Sequence, residues 1–236
     1  MGFRSSKVVI VGVGNVGATT AYSLANQQLC EELVLIDVNR DKAVAEALDI
    51  QQSAYFMERN MKVRAGDYAD CADADMVVIS ASAPMPKDSD DRLQMLKPSM
   101  GLVRGIVDSV MESGFAGILL LVSNPVDVMT YYAWHLSGLP SNQVIGSGTN
   151  LDTARLCTRL AQMYDLDARS VQAYVIGEHG DSEFVPWSQA MLATKPILSL
   201  CGEKGSRKVC QEDLDQISEE VRSAAYRIIE AKHATY

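Results

Sequence analysis

The chain has 236 residues, of which 47% are hydrophobic and 22% charged, an ordinary globular composition for one large domain or two modest ones. A formal net charge of -9 repels a phosphate backbone, so nucleic acid is not expected as a partner. No apolar run approaches the ~18 residues of a membrane span, no signal peptide opens the chain, and five cysteines without a Cys-x-x-Cys pair argue against a disulfide framework or a zinc site and favour a reducing cytoplasm.

The first predicted element is the β-branched run Val8 to Val11. A strand starting at Lys7-Val8 leaves no free arm, so the myristoylation-like opening Met-Gly-Phe-Arg-Ser-Ser is read as part of the fold. The run leads into Gly12-x-Gly14-x-x-Gly17 and an alanine-rich helical stretch. Gly12 permits a tight turn, Gly14 lets the backbone approach a pyrophosphate, and Gly17 allows close helix–strand packing. Asn15 and Val16 complete this candidate cofactor loop. A second strand, "ELVLIDV", brings Asp37 twenty residues after Gly17. A carboxylate there accepts ribose hydroxyls and repels a 2'-phosphate, which favours NAD over NADP.

The alternation continues. "DIQQSAYFMERN" predicts a helix, "DMVVISASA" a strand, "LQMLKPSMGLVRGIVDSVMES" a helix broken near Pro98, and "GILLLVSNPVDV" a strand running into a turn. Runs this apolar alternating with helices predict a doubly wound parallel sheet of Rossmann type, covered on both faces. Ligands of such a sheet sit at the strand C-terminal ends, where Asp37, the segment after Ser80, and Ser123-Asn124-Pro125 fall. With no repeat or linker, the boundary is placed near 141 to 147. The domains are 1–144, binding NAD, and 145–236, an α+β substrate domain.

In the second half, "TNLDTARLCTRLAQMYDL" predicts a helix with Thr149 or Asn150 near its start, and Asp152 and Arg155 on one face. An apolar run ending at Ile176 predicts a strand that delivers "GEHGDSEF" to an edge, with His179 between a glutamate and a glycine-aspartate pair. An aspartate touching this histidine would fix its tautomer and raise its pKa. A neighbouring arginine could grip a carboxylate through two parallel hydrogen bonds. His135 and His233 read as helix residues. "DLDQISEEVRSAAYRIIEAK" predicts a helix with Leu214, Ile217, Val221, Ala224 and Ile228 as its apolar stripe.

"VGVGNVGATTAYSL", "SNPVD", "GTNLDTARL" and "IGEHGDSE", in this order and spacing, resemble the L-lactate and L-malate dehydrogenase family from about Val8 to the last residue. The resemblance implies an NAD-dependent L-2-hydroxy acid dehydrogenase, in which His179 exchanges the proton of the substrate hydroxyl. It implies that Asp152 holds His179, Arg155 binds the substrate carboxylate, and Asn124 contacts the reacting oxygen and nicotinamide region. It also implies that Arg92, on a mobile loop, polarises the carbonyl, and that Thr235 lines the substrate pocket. Malate enzymes of the family have an arginine, and lactate enzymes usually a glutamine, where this chain has Pro86. Pro86 and Met85 fit an apolar wall, so the expected substrate is lactate or a larger branched acid such as 2-hydroxyisocaproate. Lys87 is the remaining candidate cation for a dicarboxylate, and malate ranks lower.

Cys157 and Gln172 stand where fructose-bisphosphate-activated relatives carry an arginine and a histidine, so that activation is not expected. Family members continue past Ala-Thr-Tyr, so the chain is read as C-terminally truncated, with a substrate domain that is incomplete. The competing expectation is an NAD-binding remnant without turnover. An NAD-dependent glycosidase would need a metal-binding Cys/His pair near the Asn-Pro strand end, and Ser123-Asn124-Pro125-Val126 offers none, so no metal is expected. The expected partners are a small 2-hydroxy or 2-oxo acid and, for a full-length chain, further copies of itself in a dimer or tetramer.

Overall fold

In the computed structural model the described residues are 6–83, 96–200 and 210–232. The chain divides after Gly146 into two compact units. The first unit holds a parallel sheet of β1 (Lys7–Val11), β2 (Glu32–Ile36), β3 (Lys62–Ala65), β4 (Met76–Ile79), β5 (Ile118–Leu121) and β6 (Val144–Gly146) in the order β3-β2-β1-β4-β5-β6. This is the doubly wound dinucleotide-binding order, with the switch point between β1 and β4.

Strand alternation assigns each face its own core. Val9, Val11, Val34, Ile36, Val77, Ile79, Leu119 and Leu121 pack with Val103, Ile106, Val107 and Val110 of α3 (Leu96–Glu112) and Met129 and Ala133 of α4 (Val126–Ser137). The intervening residues Ile10, Leu33, Leu35 and Val78 point the other way, with Ala21 and Ala25 of α1 (Asn15–Gln27) and Ala43, Ala47 and Ile50 of α2 (Arg40–Ser53). Both faces of each central strand are therefore dry, which explains the continuous apolar runs. Register follows: Val9 pairs with Val34 on one side and Val77 on the other.

Two expected boundaries are corrected. The helix expected over 49–60 begins earlier, at Arg40, because the Asn39 side chain accepts the Lys42 N–H at 3.1 Å and caps it. It ends at Ser53 and passes into a short 3-10 turn, Ala54–Phe56. The break expected near Pro98 does not occur: α3 runs from Leu96 to Glu112 with Pro98 in its first described turn.

The second unit begins at Ser147 and contains α5 (Asn150–Tyr164), α6 (Gln211–Lys232), and a small antiparallel sheet. That sheet joins β7 (Val171–Gln172), β8 (Met191–Leu192) and β9 (Lys195–Pro196). Its core combines Leu156 and Leu160 of α5 with Val171, Val175, Leu192 and Ile197, and with Leu214, Ile217 and Val221 of α6. The apolar stripe expected on α6 is buried only in its first half. Ala224 is half-buried, and Ile228 is 40% exposed. Among the described residues no helix is long and apolar enough to cross a membrane.

Candidate active site

In the first unit, the loop after β1 is shaped by three glycines with different constraints. Gly12 has φ +96°, and a Cβ on it would meet the Ala81 backbone nitrogen at 2.5 Å. A Cβ on Gly17 would fall on the Gly12 carbonyl oxygen. Gly14 is the opposite case: nothing lies within 4 Å of where its Cβ would be. Gly14 is also the N-cap of α1 and offers no side-chain cap, so the first turn presents backbone N–H groups there. Asn15 and Val16 open that helix. This is the form of a diphosphate cradle, in which the omitted side chain gives the ligand its approach.

Asp37 follows β2 directly. Its Oδ2 accepts the Val13 N–H at 2.8 Å and its Oδ1 accepts the Asn39 N–H at 2.9 Å. The carboxylate is thereby oriented at the rim of the glycine loop, and each oxygen keeps a further lone pair for a ribose hydroxyl. The Ser80 hydroxyl donates to the Gly12 carbonyl at 2.7 Å, and the Ser123 hydroxyl donates to the Ala81 carbonyl at 2.5 Å. The ends of β4 and β5 are thus tied to the same loop. Exposed Asn124 follows Ser123, and the Asn124–Pro125 bond is cis.

In the second unit, the run before His179 is not the regular strand the sequence implies. The ladder covers only Val171–Gln172, and Ile176 then forms an isolated bridge with Phe184. That bridge is closed by the Ile176 N–H donating to the Phe184 carbonyl at 2.9 Å and the Phe184 N–H donating to the Ile176 carbonyl at 3.1 Å. Residues 177–183 form the loop it closes, turning at Gly177 with φ +98°. Thr149, expected only near the helix start, and Thr153, missed by the sequence reading, anchor the segment to α5. Thr149 donates its hydroxyl to the Val175 carbonyl at 2.7 Å, and the Thr153 hydroxyl accepts the Val175 N–H at 3.0 Å. Thr149 sits at the N-cap of α5 but makes no side-chain cap. Their spacing, 149 and 153 on the helix that also carries Asp152, was the available signal.

The result is a buried charge cluster. Asp152 is 2% exposed; its Oδ2 lies 2.5 Å from His179 Nδ1, and its Oδ1 accepts from Arg155 Nη1 at 3.1 Å. The Asp152–Arg155 pair is therefore not a solvated surface pair. The hydrogen bond to Asp152 raises the His179 pKa above the ordinary imidazole value, against burial, with the Asp152 charge adding to the rise. Burial pushes Asp152 upward, but the hydrogen bond and charge of His179 outweigh it and hold Asp152 below the usual carboxylate value. Glu183, also missed, lies against this pair and is 5% exposed. Arg155 lines a groove between α5 and α6 with Arg159, Glu220 and Arg227.

Of the other expected positions, Arg92, Pro86, Met85, Lys87, Thr235 and His233 lie outside the described residues. His135 packs edge-on to Tyr131 and against Trp134 on α4. The Cys157 thiol lies against the Ala173 carbonyl at 3.4 Å, and Gln172 is exposed, so neither offers a positive charge.

The glycine cradle after β1 with Asp37 after β2 has the form of a dinucleotide site, and His179 held by the buried Asp152 in the second unit has the form of a proton-exchanging pair. Residues 6–146 match the lactate/malate dehydrogenase NAD binding domain, and residues 149–236 match the lactate/malate dehydrogenase alpha/beta C-terminal domain. The chain belongs to the lactate/malate dehydrogenase family, and its cofactor is NAD. It is 48% identical, over all 236 residues, to the L-lactate dehydrogenase 2 of Lactococcus lactis subsp. lactis, of which the match covers 74%. A solved lactate dehydrogenase from a Medee basin deep-sea metagenome library is 48% identical with a TM-score of 0.94, over 99% of this chain and 74% of that one. The ligand-bound minor L-lactate dehydrogenase of Enterococcus mundtii is 44% identical with a TM-score of 0.94, over 98% and 73%.

Proposed function

We propose that the chain is an L-lactate dehydrogenase, interconverting lactate and NAD with pyruvate and NADH. The hydrogen bond between Asp152 and His179 Nδ1 carries this reading. It assigns Nδ1 to the buried acid, so proton exchange with the substrate hydroxyl falls to Nε2. NAD held by the Gly12–Gly17 loop and Asp37 would supply the hydride acceptor for the substrate's C2. As the hydroxyl is oxidised, His179 takes its proton and Asp152 stabilises the imidazolium that forms. Arg155 gives one donor to Asp152 and has others with which to hold the substrate carboxylate. Asn124, at the β5 end, is assigned to the reacting oxygen and nicotinamide region. Arg92, Pro86 and Thr235 are assigned the roles implied by the family resemblance.

Lactate as the particular acid is supported by the L-lactate dehydrogenase relatives and by Pro86, which supplies no cation for a second carboxylate. The missing cation would leave a buried carboxylate unpaired, at a cost of several kcal/mol. Residues 1–144 and 145–236 are taken as the cofactor and substrate domains of a cytoplasmic homo-oligomer. Exposed Val44, Leu48, Tyr55 and Phe56 on α2 and its following turn support self-association. The test is a panel of pyruvate, oxaloacetate and 2-oxoisocaproate reduced with NADH. Highest kcat/KM on pyruvate is expected. Highest efficiency on oxaloacetate would overturn the assignment in favour of malate, and on 2-oxoisocaproate in favour of the branched acid.

A further inference from the structure

Glu183 is a buried acid that the mechanism above does not use. It stands four residues after His179, inside the loop closed by the Ile176–Phe184 bridge. Its backbone N–H donates to the Gly180 carbonyl at 3.1 Å, and its own carbonyl accepts from Arg222 Nη2 of α6 at 3.3 Å. The residue is buried, and its carboxylate stands beside Asp152 of α5 and His179. Donor atoms of Asp152, His179 and Glu183 all lie within 4.8 Å of one another. Such a trio could hold a cation, but the 2.5 Å from His179 Nδ1 to Asp152 Oδ2 is hydrogen-bond spacing. Ligands each about 2.0–2.2 Å from a tetrahedral zinc would stand farther apart than that.

We propose that Glu183 is a positioning residue: in its protonated form it donates a hydrogen bond to the buried Asp152 carboxylate, and loss of that proton changes the proton affinity of His179. Two carboxylates in one dry site do not both ionise freely, and the proton they share goes to the acid without the stronger cationic partners. Asp152 has His179 on one oxygen and Arg155 on the other. Glu183 has the more distant charges of His179 and Arg222. Burial first, then the Asp152 charge and hydrogen bond, push the Glu183 pKa up to about 7. The groups facing it are therefore Asp152 from α5, itself paired with Arg155, His179 from its own loop, and Arg222 from α6. Below that pH the cluster holds one negative charge shared by Asp152 with a neutral Glu183. Above it a second negative charge appears beside His179 and raises its affinity for a proton. The proton lost by Glu183 goes to solvent, and no other bond is made or broken.

This inference rests on the dehydrogenase reading for its consequence but not for its detection. The NMR titration of the His179 ring is followed in the whole protein with and without NADH, alongside pH profiles of kcat/KM for pyruvate reduction and lactate oxidation. The unmodified chain should show two coupled inflections at His179, and Glu183→Gln, which keeps a donor but cannot ionise, should show one. Glu183→Leu should lower kcat about tenfold with a smaller change in KM, and Glu183→Gln should restore much of that loss, in line with one hydrogen bond to a charged group. A single inflection at His179 in the unmodified chain, or an unchanged two-step titration in Glu183→Gln, overturns the proposal even if Glu183→Leu fails to fold. Absence of turnover with a two-step titration that Glu183→Gln simplifies would instead overturn the dehydrogenase reading and leave the proton coupling standing.

Discussion

The two units build their functional surfaces from opposite materials. In the first, the cradle is backbone: turn glycines, the N–H groups opening α1, and a carboxylate, Asp37, held by two main-chain N–H donors. In the second, the work falls to charged side chains taken out of water, with Asp152 at 2% and Glu183 at 5% exposure beside His179. A backbone cradle tolerates most side-chain changes that leave its φ angles and open space alone. A buried charge cluster tolerates few, because removing one partner leaves another charge unpaired in a dry site. Loss of turnover should therefore come most steeply from the second unit, and loss of cofactor affinity from the first.

The largest expected effect separates the two directly. His179→Asn should reduce turnover on the order of a thousandfold, the loss of a general acid–base group. NADH binding, followed by fluorescence titration, should stay close to normal. Substantial remaining turnover would assign the proton step to another group.

A smaller effect is expected from Asp152→Asn, roughly ten- to a hundredfold in kcat/KM for one charge-assisted buried hydrogen bond. Its pH signature matters more. Pyruvate reduction needs protonated His179, and lactate oxidation needs it neutral. Because Asp152 raises the His179 pKa, the reduction limb extends to higher pH and the onset of oxidation is displaced the same way. Removing the carboxylate should move both limbs to lower pH. The stability linkage has the same sign. The His179 contribution is fully present below the unfolded histidine pKa and is lost as pH rises through the raised folded value. Thermal melts of the parent minus Asp152→Asn should therefore narrow toward alkaline pH, and a gap that widens there would contradict the pairing.

The smallest effects test the backbone cradle. Gly17→Ala places a Cβ on the Gly12 carbonyl oxygen and should cost about 1–3 kcal/mol of stability by overpacking. Gly14→Ala meets no atom within 4 Å. It should leave the melting temperature nearly unchanged while weakening NADH about tenfold, or roughly 1.4 kcal/mol. If Gly14→Ala instead destabilises the fold as much as Gly17→Ala, the open space at Gly14 is not a ligand approach.

Much of the first unit was legible because strand burial on both faces writes itself as uninterrupted apolar sequence, and because a turn at φ +96° has to be glycine at Gly12. β3 was not legible. In Lys62-Val63-Arg64-Ala65 only Val63 is buried, as suits an edge strand of the described sheet, and Arg64 is held by Glu32 and Asp70 rather than by apolar contact. The start of α2 was hidden because its first turn is polar and its signal was the cap at Asn39 rather than periodicity.

Local sequence determined the alternation of strand and helix, the glycine turn with its acid at Asp37, and the pairing of Asp152 with Arg155 one helical turn apart, because each depends on short spacing and intrinsic backbone preference. Tertiary structure alone decided which polar residues would leave water. Glu183 reads as an ordinary loop acid until the Ile176–Phe184 bridge folds its loop against α5, and Thr149 and Thr153 read as helix residues until Val175 brings them a carbonyl and an N–H. Burial and the pKa shifts that follow from it are properties of what surrounds a side chain in three dimensions, and neighbours in sequence do not specify them.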